Sequence, residues 1–188
     1  GVEIYRETGV LFLVPDGDDG AWEEASLAAT TALGHGGARL EPDEIHRRWP
    51  AIRPGGIQWG LANTTGGFLW ANRATEVMAG LAQAAGATFR RDRVVASDAH
   101  GVDLASGERL AADIVVLSTG SWTRTLEPSL AITPARQVTV YFRGGPPDFP
   151  VFGEGAPFAM YGVPSHDEYG LKLGSHETGP DRDPDDPA

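Results

Sequence analysis

Gly170-Leu171-Lys172-Leu173-Gly174-Ser175-His176 alternates with a period of two, the pattern of a β-strand with one covered face. Leu171 and Leu173 belong to one side, and Lys172, Gly174 and His176 to the other. Just upstream, the stretch from Phe158 to Val163 alternates in the same way, and Pro164 to Tyr169 connect the two as a hairpin. If Val163 pairs with Gly170, Tyr161 falls opposite Lys172, because antiparallel partners keep a constant sum of residue numbers. Lys172 and His176 would then stand about 13 Å apart at ~3.3 Å per residue. That separation is too long for contact but suits two groups addressing different parts of one bound molecule. Gly174 between them would leave the strand open to close approach. The plain alternative is an ordinary polar face turned to solvent.

Working outward, Ala135 to Arg143 also alternates, so the carboxy-terminal third predicts antiparallel strands separated by Gly/Pro-rich loops. At the other end, Thr8 to Val14 is a short apolar run closed by Pro15-Asp16-Gly17, a buried strand and a turn. Ala21 to Leu33 and Glu41 to Trp49 predict helices, the second with Pro42 in its first turn and Pro50 ending it. Ile57 to Ala62 and Gly67 to Trp70 predict a hairpin or meander.

The middle of the chain has another texture. Asn72 is placed to cap a helix over Arg73 to Ala85, with Ala74, Val77, Met78, Leu81 and Ala85 on one face and Gly86 just beyond the end. Thr88 to Val95 predicts one or two strands, and Gly101 to Leu104 with Arg109 to Ala111 a hairpin around Ser106-Gly107. Asp113-Ile114-Val115-Val116-Leu117 is nearly continuous in β-branched residues, as in a strand buried on both faces of a parallel sheet. It runs into Ser118-Thr119-Gly120, where backbone amides can approach a ligand at the carboxyl edge of such a sheet. A strand of this kind needs neighbours, and no second run like it is present, so the block is expected to be incomplete at both ends.

Composition narrows the chemistry. Of 15 basic residues among 188, Lys172 is the only lysine; the rest are arginine. A position that keeps a compact, tunable ammonium in a chain that otherwise uses guanidinium is a candidate for function. The net charge of −11 and the lack of a basic patch argue against a nucleic-acid surface. The absence of cysteine excludes disulfides, thiol catalysis and cysteine-bound zinc. No apolar run approaches the ~20 residues that cross a bilayer, and Gly1 to Arg6 do not resemble a signal peptide, so a cytoplasmic protein without membrane or metal partners is expected. Asp16-Gly17-Asp18-Asp19-Gly20 resembles a calcium loop only in composition and predicts an acidic turn. His35, His46, His100 and His166 have no partner at ligand spacing. Gly179 to Ala188, acidic and proline-rich, predicts a solvated tail or an interrupted loop.

The ordered set Thr8-Gly9-Val10-Leu11, Asp43-Glu44-Ile45 through Arg48-Trp49-Pro50, Gly67-Phe68-Leu69, Asp113 to Trp122, Arg136-Gln137-Val138, Tyr161-Gly162-Val163-Pro164-Ser165 and Gly170 to His176 resembles the flavin-dependent amine oxidases of the monomeric sarcosine oxidase and N-methyltryptophan oxidase type, within the D-amino-acid-oxidase/glycine-oxidase superfamily. The resemblance implies a mixed α+β and α/β fold: an antiparallel substrate-domain sheet with a partial Rossmann-like FAD-domain segment. It implies residues 1–71 and 125–178 as two parts of the substrate domain, 72–124 as the FAD-domain segment, and 179–188 as tail or loop. Tyr161 would lie beside a substrate carboxylate, Lys172 over the flavin where oxygen is activated, and His176 along the substrate pocket. Val94, Ser118, Thr119, Gly120 and Trp122 would face FAD.

The implied partners are a small amine or amino-acid substrate and molecular oxygen. The implied reaction oxidises a C–N bond to an imine with release of hydrogen peroxide. Three family features are missing: the amino-terminal G-x-G-x-x-G turn, an early arginine for the substrate carboxylate, and the later cysteine that carries covalent flavin. The expectation is therefore a central fragment that, alone, neither holds FAD tightly nor turns over. A binding module without flavin chemistry and a dehydrogenase relative are the other readings.

Overall fold

The computed structural model describes residues 1–146, 148–155, 159–165 and 169–186. Along the chain the elements are β1 (Tyr5–Glu7), β2 (Val10–Pro15), α1 (Ala21–Ala32), β3 (Ala38–Leu40), α2 (Pro42–Arg48), β4 (Ile57–Asn63), β5 (Gly67–Leu69) and α3 (Ala71–Ala84). They continue with β6 (Val94–Asp98), β7 (Gly101–Leu104), β8 (Arg109–Ala111), α4 (Thr123–Leu126), β9 (Thr139–Phe142), β10 (Val151–Glu154), β11 (Met160–Val163) and β12 (Leu171–Ser175). Two compact units result, Gly1–Met78 with Gln137–Glu177, and Ala79–Arg136 with Thr178–Ala188.

The first unit is built on a seven-stranded sheet in the order β3-β4-β2-β10-β11-β12-β9. All neighbours are antiparallel except β2 and β10, which run parallel. The apolar run at Val10–Pro15 is central because both of its faces are covered. On one face Leu11, Leu13, Leu40 and Ala62 close around Ile45 of α2, with Trp49, Ile52, Ile57 and Phe152 at the margin. On the other, Val14, Trp59 and Leu61 pack with Phe12 and with Leu27 of α1. Trp22 meets Phe12 edge-on at 5.1 Å, and the Arg39 guanidinium lies 4.1 Å over the Trp59 ring.

The acidic turn before α1 works as a helix entry. Asp18 accepts a bond from the Gly20 amide and Asp19 from the Ala21 amide, and Gly20 at φ 63° turns the chain into α1. Among the described residues no cluster of metal-ligating side chains occurs, and no helix is long and apolar enough to cross a membrane.

Several expectations need correction. The segments after Ile57 form no hairpin with each other: β4 pairs with β2 and β3, while β5 pairs with β1 in a separate ribbon. Asn72 does not cap its helix, because the Ala74 amide already bonds to the Trp70 carbonyl and α3 starts at Ala71. The other end of α3 matches expectation: with Gly86 at φ 97°, the Ala87 amide reaches the Ala82 carbonyl and the Gly86 amide the Gln83 carbonyl. Of the stretch Thr88 to Val95, only Val94 and Val95 are strand, as the start of β6, and residues 88–93 are not.

In the second unit β6, β7 and β8 form an antiparallel meander, and the β7–β8 hairpin has the predicted bounds. Asp113 to Leu117, predicted as a buried parallel strand, is not one. No described strand pairs with it, and Ile114 and Val116 are 80% and 78% exposed. An extended run becomes a strand only where a neighbour completes its ladder, whatever its side chains prefer. Phe158, His166 and Pro187-Ala188, singled out in the sequence, lie outside the described residues.

Ile45 is fully buried in the centre of its cluster. Ile45→Ala should cost about 3 kcal/mol of unfolding free energy, since a truncated aliphatic core residue forfeits transfer energy and leaves a cavity. Urea unfolding followed by tryptophan fluorescence checks it.

Candidate functional site

Lys172, Tyr161 and His176 come together on one face of the large sheet. The register differs from the expected one by two residues: Val163 stands opposite Lys172, and Tyr161 opposite Gly174. The reason is Gly170. At φ 82° it is bent out of extended conformation and cannot continue the ladder with Val163. Instead Leu171 begins the pairing with β9, opposite Phe142. A slip of two leaves every side chain on its predicted face, so the grouping survives while its neighbours change.

The Tyr161 ring occupies the space over Gly174. Lys172 Nζ lies 5.5 Å from its centroid, within cation–π range, and the His176 ring is tilted against it at 4.8 Å. The His176 amide donates to the Ala159 carbonyl at 2.6 Å, which prolongs the β11–β12 pairing past the last assigned residue. Contrary to expectation, Gly174 does not leave its strand open: the opening is filled by this chain's own tyrosine. Sequence reasoning missed Tyr141, which pairs with Lys172 from β9 and stands 6.2 Å from the Tyr169 ring. Its place in the alternating Thr139-Val140-Tyr141-Phe142 was the available signal. Tyr161 and Lys172 are half-buried and His176 is exposed. Glu154 in β10, opposite Leu13, belongs to the other face, and burial pushes its carboxyl above the usual range.

The residues expected to face a cofactor lie in the second unit. Val94 opens β6 opposite Leu104. Ser118 is exposed, Thr119 shares a 2.8 Å hydroxyl contact with Thr123, and Gly120, at φ 54°, begins a single 3₁₀ turn through Trp122. A Cβ at Gly120 would meet nothing within 4 Å, so the backbone there is accessible.

The acidic tail is largely exposed to solvent, yet side chains of the same unit hold it in place. Arg93 forms an ion pair with Asp185, and Trp122 Nε1 donates to the same carboxylate at 2.9 Å. Arg124 binds Asp181 at 2.7 Å, and Ala135 bridges to Asp181 through the backbone. The Arg93 and Trp122 donors hold the Asp185 carboxyl below its ordinary range.

A cavity of about 590 Å³ lies elsewhere in the first unit, lined by Arg6, Arg48, Trp49, Asn63, Thr64 and Asp148 among others; Tyr161, Lys172 and His176 are not part of its wall.

With this geometry in view, the whole chain, residues 1–188, matches the model of the FAD dependent oxidoreductase family (DAO), and the protein belongs to that family. It is 31% identical to a monomeric sarcosine oxidase from Bacillus sp. (strain B-0618) over 97% of this chain and 50% of that protein. It is 32% identical to an N-methyl-L-tryptophan oxidase from Salmonella arizonae over 75% of this chain and 41% of that protein. The chain thus spans about half the length of the curated relatives it matches. Among solved structures, glycine oxidase from Geobacillus kaustophilus superposes with a TM-score of 0.77 at 19% identity, covering 95% of this chain and 50% of that one. L-proline dehydrogenase from P. horikoshii gives 0.74 at 18%, covering 95% and 51%. These two share the fold.

The tail contact should be pH-dependent. The folded pKa of Asp185 is depressed, so its contribution is complete above the ordinary carboxylate range and is lost as pH falls through the lowered value. The Trp122 indole N–H resonance, which reports the bond to Asp185, should shift as pH falls from 7 toward 3, and Asp185→Ala should give the shifted position already at pH 7.

Proposed function

We propose that this chain supplies the substrate-facing sheet and part of the cofactor domain of an FAD-dependent oxidase that converts the C–N bond of an amino acid or N-methyl amino acid to an imine. The observation that carries the proposal is the Lys172–Tyr161–His176 group, with the chain's single lysine held against an aromatic ring on one face of the sheet. The relatives' names, sarcosine oxidase and N-methyl-L-tryptophan oxidase, support secondary amines as the substrate class.

The residues present suit the cofactor's chemistry. A half-buried ammonium presented on an aromatic face can sit against a developing negative charge, and an accessible glycine backbone in the Ser118–Gly120 turn can admit a flat ligand closely. In this proposal Val94, Ser118, Thr119, Gly120 and Trp122 are the second unit's contribution to holding FAD, and Lys172 is the first unit's contribution to oxygen chemistry. When bound, FAD would supply a hydride acceptor for the carbon next to nitrogen and a two-electron route to oxygen, which with two protons would give hydrogen peroxide. The Lys172 ammonium stabilises negative charge as oxygen is reduced. In the same reading Tyr161 donates its hydroxyl to the substrate carboxylate, and His176, tilted against the Tyr161 ring, borders the substrate. Water then hydrolyses the released imine to a carbonyl compound and an amine.

In the family-length protein, Lys172→Met should slow reoxidation by oxygen on the order of 100-fold while changing reduction by substrate much less, because the lost charge matters where charge develops. Stopped-flow measurement of the two half-reactions decides it; equal losses would remove Lys172 from oxygen chemistry. Gel filtration of the 188-residue chain with added FAD should separate the two, and a flavin spectrum that travels with the protein would overturn the expectation that this portion alone holds the cofactor weakly.

A further inference from the structure

The three site residues are spaced so that Gly174 lies at their centre. Lys172 and His176 flank it along the strand, and Tyr161 stands directly across from it on β11. A Cβ built on Gly174 would lie 2.5 Å from Tyr161 Cζ and 2.6 Å from Cε1 and Oη. Real side chains do not approach so closely, so any residue but glycine would push the ring away. The backbone itself needs no glycine here, since Gly174 is absent from the positive-φ positions and sits within a regular strand. Its lack of a side chain serves the ring.

We propose that Gly174 is a positioning residue: the empty place above it lets the Tyr161 ring lie down on the strand, where it touches the Lys172 ammonium and the His176 imidazole together. An upright tyrosine could still pack, but it could not lie within reach of both flanking groups. The cost of a glycine in a strand interior, which loses more conformational freedom on folding and packs nothing, is offset by the cross-strand ring. The consequence for catalysis rests on the oxidase reading above; the positioning itself does not, and it can be measured without cofactor.

The single lysine makes the test direct. In a proton–carbon correlation spectrum the Lys172 ε-methylene gives one signal, displaced upfield by the Tyr161 ring. Gly174→Ala should abolish that displacement and shift the His176 ring protons as well, reproducing the spectrum of Tyr161→Leu at these two residues. Thermal unfolding of Gly174→Ala in the wild-type and Tyr161→Ala backgrounds supplies a double-mutant cycle. Gly174→Ala should lower Tm with tyrosine present and have little effect once the ring is gone. If Gly174→Ala fails to fold alone but folds with Tyr161→Ala, the clash is confirmed by its relief. An unchanged Lys172 signal, an equal Tm loss in both backgrounds, or failure to fold in both would overturn the proposal.

Discussion

The large sheet depends on aromatic rings laid over glycines in three consecutive strand pairs. Phe12 stands opposite Gly153 across β2 and β10, Phe152 opposite Gly162 across β10 and β11, and Tyr161 opposite Gly174 across β11 and β12. In each pair the ring fills the place a Cβ would take: 3.1 Å from Phe12, in hard overlap with Phe152, and 2.5 Å from Tyr161. Glycine weakens a strand and a cross-strand aromatic restores the lost packing, so each pair is one unit of stabilisation and neither residue is understood alone. Because direct partners share a face, Phe12 and Tyr161 belong to one side of the sheet and Phe152 to the other. Phe152 leans into the Leu11 and Ile45 cluster, and Phe12 joins the Trp59 cluster. The device that builds the core thus continues without interruption into the candidate site, where its last ring meets Lys172 and His176 in place of a hydrophobic layer.

This continuity explains what could be read from the sequence and what could not. Period-two alternation put Lys172, Gly174 and His176 on one face correctly, because side-chain direction is a local property of an extended backbone. The register was off by two, because register is fixed by where a turn releases the chain, and Gly170 at φ 82° releases it one residue before Leu171 takes up β9. The glycines were visible, but their partners were not: Phe12 and Gly153 are far apart in sequence and meet only through a parallel pairing. Tyr141 escaped for the same reason, since nothing local says that it pairs with Lys172.

The second unit shows the opposite limit. The β7–β8 hairpin was legible because its turn and both strands are contiguous. Ile114 to Leu117 has the composition of a buried strand, but composition cannot supply a ladder partner, and two of its β-branched residues face outward. α3 repeats the lesson: its apolar stripe was read correctly, yet Met78 and Leu81 are 59% and 66% exposed. Amphipathic pattern states which face a helix would bury, and only a second surface decides whether it does. The tail shows the same limit from the other direction. Its aspartates looked like a solvated run, but Arg93, Arg124 and Trp122 gather them into a defined contact. Charge patterning within a segment says little when its counter-charges lie about sixty to ninety residues away.

The use of lysine at 172 follows from this packing. The position lies between Val163 and Tyr141 in the sheet, and its ammonium lies over a ring that has been laid down over Gly174. A guanidinium is broad and planar and would stack over the Tyr161 face, spreading its charge along the ring and covering the surface that His176 also borders. An ammonium is a compact point charge on a flexible stem, able to touch the ring at one side and leave its remaining donors directed away from the sheet. Elsewhere the chain uses arginine for paired, planar contacts such as Arg90 with Glu108 and Arg109 with Asp98. Arginine also stacks on tryptophan, as Arg39 does over Trp59, so the ring alone does not select lysine; what the position at 172 asks for is a compact charge that can share the smaller Tyr161 ring with His176.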